Sequence, residues 1–128
     1  MAKIGGGWLT SQEARTGEEV VYSRLANRMQ GSRAVGGKLF LTDQRILFCP
    51  HRIDGLLAGK QWSVETGDVA EVGVEPKGSG KASKFGGGLR DRLRIRTRDG
   101  SEDLFVVKQL EEEVLPKLRG AVGPSGSS

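Results

Sequence analysis

Apolar and polar positions alternate most clearly between residues 38 and 49, where two apolar segments flank a short polar tip. The pattern predicts a β-hairpin whose turn is formed by residues 42–45. Both faces of this hairpin carry apolar side chains. The predicted inner face pairs Leu41 with Ile46 and Leu39 with Phe48, and the outer face carries Phe40 and Leu47. A hairpin that is apolar on both faces needs cover on both sides, which favours a closed or strongly curved sheet.

Further strands are predicted on both sides of this hairpin. The segments rich in β-favouring residues are 19–27, 60–65 and 68–75. Residues 28–37 indicate either a loop or an extension of the first strand. The dipeptide Asp99-Gly100 predicts a turn that joins residues 89–98 and 101–107 into a second hairpin. With a two-residue turn, the pairs on its core face are Ile95 with Leu104 and Leu93 with Val106.

The hydrophobic period changes after residue 107. Leu110, Val114 and Leu118 recur every four residues, which predicts an amphipathic helix that packs across the sheet. Pro116 predicts a kink or a pause in that helix, because proline lacks the backbone N–H group. The glycine-rich start indicates a flexible lead-in over residues 1–16, with one helical turn near Ser11–Arg15. We expect one domain over residues 17–119 and a disordered tail over residues 120–128.

These elements predict a mainly β fold, either a partly open barrel or two curved antiparallel sheets, with about seven strands and a C-terminal capping helix. Residues 41–48, Leu-Thr-Asp-Gln-Arg-Ile-Leu-Phe, resemble the core motif of GRAM domains. The other segments that carry the resemblance are Gly17-Glu18, Trp62-Ser63-Val64 before Asp68-Val69, and Asp99-Gly100 before Leu104-Phe105-Val106. The resemblance spans residues 17–119. It implies a fold of the pleckstrin-homology (PH) type, the superfold to which GRAM domains are similar.

Composition argues against an enzyme. The chain of 128 residues contains one histidine and one cysteine, so it lacks the clustered ligands and bases that metal sites and catalysis require. We therefore predict no catalytic residue, no metal and no cofactor. Cys49 lies in an apolar strand, which predicts a buried, inert thiol. No long apolar run or signal peptide is apparent, so we expect a cytoplasmic protein that contacts membranes peripherally if at all.

Basic residues are concentrated in one part of the chain. The net charge is only +4, yet residues 77–98 hold eight lysines and arginines against the single acid Asp91. Five arginines alternate along one predicted strand: Arg90, Arg92, Arg94, Arg96 and Arg98. Neighbouring acids offer a purely structural interpretation, with Asp103 opposite Arg96 and with Glu71 or Glu75 on the preceding strand. A surplus of arginines over nearby acids instead favours an anionic ligand.

The residues predicted to bind an anion are Arg28, Arg33, Lys38, Arg45, Arg90, Arg92, Arg94 and Arg96. The first four surround the first inter-strand loop and the hairpin tip, where the family resemblance implies a lipid headgroup site. The favoured partner is an anionic membrane surface or a phosphorylated headgroup. The alternative is a protein partner with an acidic or extended segment that lies on the sheet beside Arg94 and Phe105. Nucleic acid ranks lower, because few aromatic residues accompany the basic ones.

Overall fold

The computed structural model describes residues 3–30, 33–53, 60–76 and 91–122. Within these ranges seven strands form one antiparallel sheet in the order β6-β5-β4-β3-β9-β8-β7, and β1 pairs with β2 in a separate hairpin. The strands are β1 (Lys3–Gly5), β2 (Ser11–Glu13), β3 (Val20–Gln30), β4 (Arg33–Thr42), β5 (Arg45–Pro50), β6 (Trp62–Glu65), β7 (Val69–Glu75), β8 (Arg92–Thr97) and β9 (Glu102–Val107). A helix closes the fold. The predicted mainly β class with a C-terminal helix is confirmed.

The β4–β5 hairpin has the predicted register. Leu41 pairs with Ile46 and Leu39 with Phe48. All four side chains belong to the main hydrophobic core, together with residues of the C-terminal helix. The outer face is apolar as well and is covered by other residues, so the inference that this hairpin needs cover on both sides is confirmed.

The cover on the outer face comes from the N-terminal residues. Ile4 and Leu9 are buried in a second cluster with Phe40, Leu47 and Cys49. The predicted helical turn near Ser11–Arg15 is wrong, since Ser11–Glu13 is strand β2. The burial that the hairpin gains against Phe40 and Leu47 outweighs the local capping signal. Gly5 makes this packing possible, because a Cβ atom there would lie 2.5 Å from the Thr10 carbonyl oxygen.

The β8–β9 hairpin differs from its predicted register by one residue. The Thr97 N–H donates to the Ser101 carbonyl oxygen at 2.9 Å, which closes a three-residue loop instead of a two-residue turn. Gly100 adopts φ +92° there, the left-handed conformation that such loops place before a bulge. Leu93 consequently pairs with Phe105 and Arg94 with Leu104. The predicted inward position of Leu104 and Val106 is therefore wrong.

Phe105 takes the core position that this shift vacates. Its side chain is fully buried, with ring centroids 5.9 Å from Phe48 and 5.2 Å from Trp62. The expectation that Phe105 is accessible to a partner is therefore wrong, whereas the protein partner itself stays a prediction. Aromatic packing of this kind contributes beyond simple burial, so it fixes the register of β9.

The predicted amphipathic helix is confirmed, with one change in winding. Leu110–Val114 forms a π-type turn and Leu115–Val122 forms the α-helix α1. The change falls immediately before Pro116, where a pause was predicted, because proline supplies no N–H for the regular helical ladder. The side chains that face the core are Leu110, Val114, Leu115 and Leu118.

Several predictions fall partly or wholly outside the described residues. These are the part of the basic stretch 77–98 that precedes residue 91, Arg90 included, and the predicted tail after residue 122. The domain boundaries at residues 17 and 119 stay predictions. Among the described helices, none combines the length and the hydropathy that a membrane span requires.

Candidate functional site

Arg45, predicted to bind an anion at the hairpin tip, lies in a buried ion pair. Its side chain is 8% exposed and that of Glu18 is 0% exposed. Arg45 Nε donates to Glu18 Oε2 at 2.8 Å and Nη2 donates to the Glu13 carbonyl oxygen at 2.8 Å. The placement of Arg45 at an accessible tip is therefore wrong. A guanidinium group enclosed by a carboxylate and a carbonyl serves the fold.

Thr42 completes this buried cluster. Its hydroxyl donates to Glu18 Oε2 at 2.7 Å and accepts the N–H groups of Gln44 and Arg45, each at 3.0 Å. Burial alone raises the pKa of Glu18, but the hydrogen bonds from Arg45, the Arg15 backbone and Thr42 outweigh it and lower that pKa to about 2. The Thr–x–x–Arg motif and the upstream Glu18 thus form one structural unit.

The two partly exposed arginines of β8 contact carboxylates on the neighbouring strands β7 and β9. Arg94 lies 3.3 Å from Glu71 and 3.1 Å from Glu75. Arg96 lies 3.2 Å from Glu71 and 2.7 Å from Glu102. We call these five residues the β8 ladder. The structural interpretation of the arginine row therefore holds for Arg94 and Arg96, although the partner of Arg96 on β9 is Glu102 and not the predicted Asp103.

The other arginines of the row occupy different environments. Arg92 is fully buried and donates to the Pro76 carbonyl oxygen at 2.8 Å. Arg98 lies in the turn and donates to the Gly67 carbonyl oxygen at 2.9 Å. Arg28, on β3, pairs with Asp103 at 2.7 Å and lies 6.0 Å from the Trp62 ring. The row is thus not a continuous exposed surface within the described residues.

The structure brings a different set of residues together at one end of the outer sheet face. The Trp8 carbonyl accepts the Arg52 N–H at 3.0 Å, and the Trp8 ring lies 5.2 Å from the His51 ring. Trp8 is 50% exposed and Ile53 is 61% exposed. Lys38 shares a cleft with Trp8. We call Trp8, Lys38, Arg52 and Ile53 the Trp8 corner.

Arg33 and Lys60 lie near the same end. Arg33 pairs with Gln30 at the start of β4, and the Lys60 N–H donates to Gln30 Oε1 at 3.0 Å. Of the eight residues predicted to bind an anion, Arg33 and Lys38 are the two on β4, and Lys38 lines the cleft beside Trp8. The prediction that the eight residues bind an anion stays a prediction.

Sequence reasoning missed Trp8, Arg52 and Ile53 as surface residues. Residues 1–16 were expected to form a flexible lead-in, and neither Arg52 nor Ile53 was among the residues predicted to bind a ligand. One signal pointed to Trp8 and its neighbours: the apolar outer face of the first hairpin required cover. Apolar residues upstream of the first predicted strand, among them Ile4 and Leu9 beside Trp8, were available to supply it.

The two reactive side chains do not form a catalytic group. Cys49 is buried, and burial raises the pKa of its thiol to about 11, so the nucleophilic thiolate is scarce near neutral pH. His51 Nδ1 accepts the Ile53 N–H at 3.2 Å. Among the described residues, no cluster of His, Cys, Asp and Glu is arranged to hold a metal ion.

Solved structures resemble this architecture over most of its length. No family model matches the chain, and no curated protein matches it. The N-terminal PH domain of Vps36 matches with a TM-score of 0.55 and 21% identity, covering 86% of this chain and 83% of that domain. The chain has a PH-like fold. The C-terminal domain of an unknown protein from Leishmania infantum matches with a TM-score of 0.62 and 17% identity, over 84% of this chain and 86% of that one.

At these identities the likeness describes the fold and leaves the ligand open. The PH-like part of the predicted resemblance is therefore confirmed, and the more specific assignment to GRAM domains stays a prediction. In this chain the GRAM-like residues 41–48 lie in the β4–β5 hairpin. Two of them, Thr42 and Arg45, form the buried cluster with Glu18.

Proposed function

We propose that this protein is a non-catalytic binding module that associates weakly with anionic membrane surfaces through the Trp8 corner. The PH-like fold supports a binding module in general. The observation that carries the proposal is the exposure of two large apolar side chains, Trp8 and Ile53, beside Arg52 and Lys38. The surface differs from the arginine row, in which the partly exposed Arg94 and Arg96 contact carboxylates.

This combination of side chains suits the boundary between lipid headgroups and acyl chains. Tryptophan is enriched at that boundary, because its ring is apolar while its N–H remains able to bond. Each basic residue near an anionic surface adds about 1 kcal/mol of attraction. Because the Trp8 corner contains two basic residues, Arg52 and Lys38, the electrostatic contribution to membrane binding is small. We expect weak binding that decreases as salt is added.

Vesicle flotation with purified protein tests the proposal. Vesicles of phosphatidylcholine with phosphatidylserine should recover more protein than vesicles of phosphatidylcholine alone, and added salt should reduce the difference. The variants Ile53→Ser and Arg52→Glu should lose this recovery. Val21→Ser is the matched control, because Val21 is 60% exposed and Ile53 is 61% exposed.

Two results would contradict the proposal. One is equal recovery with neutral and anionic vesicles. The other is that the Ile53→Ser variant is recovered with anionic vesicles to the same extent as the unchanged protein or the Val21→Ser control. Either would show that the exposed apolar residues of the Trp8 corner do not contact lipid.

A further inference from the structure

A cleft of about 640 Å³ lies on the outer face of the sheet, over strands β3 and β4. We call it the β3–β4 cleft. Trp8 and His51 border it on one side, and Val106 and Lys108 on the other. Its middle includes residues with little bulk, Gly36 among them. The volume lies within the range typical of ligand sites.

The shape of the cleft favours an extended chain. Residues of β4, β3 and β9 line it, and neighbouring strands lie about 4.8 Å apart, so it measures about 10 Å from β4 to β9. A single extended segment fits along the strands and leaves room for alternate side chains.

Apolar contacts are available along this path. Leu25, on β3, lines the cleft and is 60% exposed. Val106, on β9, pairs with Asn27, which lies two residues from Leu25 along β3 and on the same face. An exposed leucine on a central strand of a sheet is a site where a partner gains by removing apolar surface from water.

The charges of the cleft have one sign. Its described charged lining residues are Arg24, Lys38 and Lys108. Glu113 lies 3.4 Å from Arg24 and offsets that charge. Lys38 lies on β4 and Lys108 directly follows β9, so they flank β3 on its two sides, and no acidic residue is among the described residues that line the cleft. Acidic side chains on a partner would complement this lining.

We propose that the β3–β4 cleft binds an extended, acidic peptide segment of another protein, with apolar residues on Leu25 and Val106 and carboxylates near Lys38 and Lys108. This inference does not depend on membrane association. The Trp8 corner shares Trp8 and Lys38 with the cleft, but Leu25 and Lys108 belong to the cleft alone. These two residues allow the two proposals to be tested separately.

Peptides of about eight residues, in which valine alternates with glutamate or with lysine, are suitable probes. Extended, they are long enough to run past Ser23–Asn27, the residues of β3 that line the cleft. Titration of the full chain, followed by backbone amide NMR, should show the acidic peptide binding more tightly than the basic one. The amides that shift should include those of Leu25, Gly36, Lys38 and Lys108.

Charge reversal supplies the decisive variant. Lys38→Glu combined with Lys108→Glu should lower the affinity for the acidic peptide by about tenfold or more, and the double variant should then prefer the basic peptide. Lys60→Glu with Lys117→Glu changes the net charge equally outside the cleft and should leave the preference unchanged. Because a reversed preference requires folded protein, loss of folding does not imitate the expected result. Leu25→Ser should lower the affinity for both peptides, whereas Ile53→Ser should change neither affinity.

Three outcomes would overturn the inference. The first is that the acidic and basic peptides bind equally, and the second is that the shifted amides lie away from the cleft. The third is that the control pair of substitutions changes the preference as much as the cleft pair. A fourth would assign the cleft to lipid instead: its amides respond to phosphatidylserine vesicles and to none of the peptides.

Discussion

Arginine meets carboxylate in two contrasting regions of this molecule. In the buried cluster, Arg45 and Glu18 have side chains that are 8% and 0% exposed. In the β8 ladder, Arg96 and its partners Glu71 and Glu102 are each exposed by 42 to 43%. The distances overlap, since the closest contacts are 2.8 Å in the cluster and 2.7 Å in the ladder. Geometry alone therefore does not distinguish the two regions.

Solvent makes them different. Burying two charges carries a large desolvation cost, which is recovered only when further hydrogen bonds satisfy both groups, and removal of one partner then leaves an isolated buried charge. An exposed pair is screened by water and salt and contributes little to stability. The cluster should therefore control folding, whereas the ladder mainly reduces the positive potential of β8. An arginine count in the sequence does not separate these roles.

The largest expected effect is on the buried cluster. Glu18→Ala leaves the Arg45 charge without its carboxylate, and we expect the free energy of unfolding to fall by about 3 to 5 kcal/mol. Urea denaturation of the two proteins measures the difference. Glu18→Ala combined with Arg45→Met removes both charges and should recover part of the loss. A cost below about 1 kcal/mol for Glu18→Ala would place the cluster in the same class as a surface pair.

The buried cluster should also make the stability of the protein depend on pH. The pKa of Glu18 is lowered from 4.5 to about 2 in the folded protein, so the folded state favours the charged form. Its contribution, up to about 3 kcal/mol, is present above pH 4.5 and is lost as the pH falls toward 2. Urea titrations across this range measure it. Glu18→Gln should flatten the curve, and an unchanged acid dependence in that variant would assign it to other carboxylates.

The sequence predicted one hairpin fully and the other only in part. The β4–β5 register follows from the apolar pattern, because a slip of one residue would exchange the inner and outer faces. The Asp99-Gly100 pair suits a two-residue turn and a three-residue loop almost equally. What separates these two registers is the packing of Phe105 on Phe48 and Trp62, contacts that local pattern does not reveal.

The candidate site was harder to predict than the fold for a related reason. Arg45 follows a polar turn and looks accessible, yet its partner Glu18 lies 27 residues upstream. Trp8 and Ile53 are unremarkable in the sequence and become neighbours only because Leu9 forms a bridge with His51. Exposure and pairing are properties of long-range contacts, so residue type and spacing alone did not show that Arg45 and Arg92 are buried.

An intermediate effect is expected at Thr42, which supports the buried cluster without carrying charge. Thr42→Val keeps the shape but removes the hydroxyl that bonds to Glu18 and to the N–H groups of Gln44 and Arg45. We expect a loss of about 2 kcal/mol, because buried groups lose their partner. Thr97→Val, in the β8–β9 turn, is the control and should cost about 0.5 kcal/mol or less. Similar costs for both variants would remove the distinction between the regions.

The smallest effect should come from the ladder itself. Glu71 lies 3.3 Å from Arg94 and 3.2 Å from Arg96, but its side chain is 43% exposed. Glu71→Gln should therefore lower the free energy of unfolding by about 0.5 kcal/mol or less, and added salt should remove even that difference. Urea denaturation at low and high salt provides the measurement. A cost comparable to that of Glu18→Ala, or one that salt leaves unchanged, would mean that the ladder is shielded from solvent and that exposure does not separate the two regions.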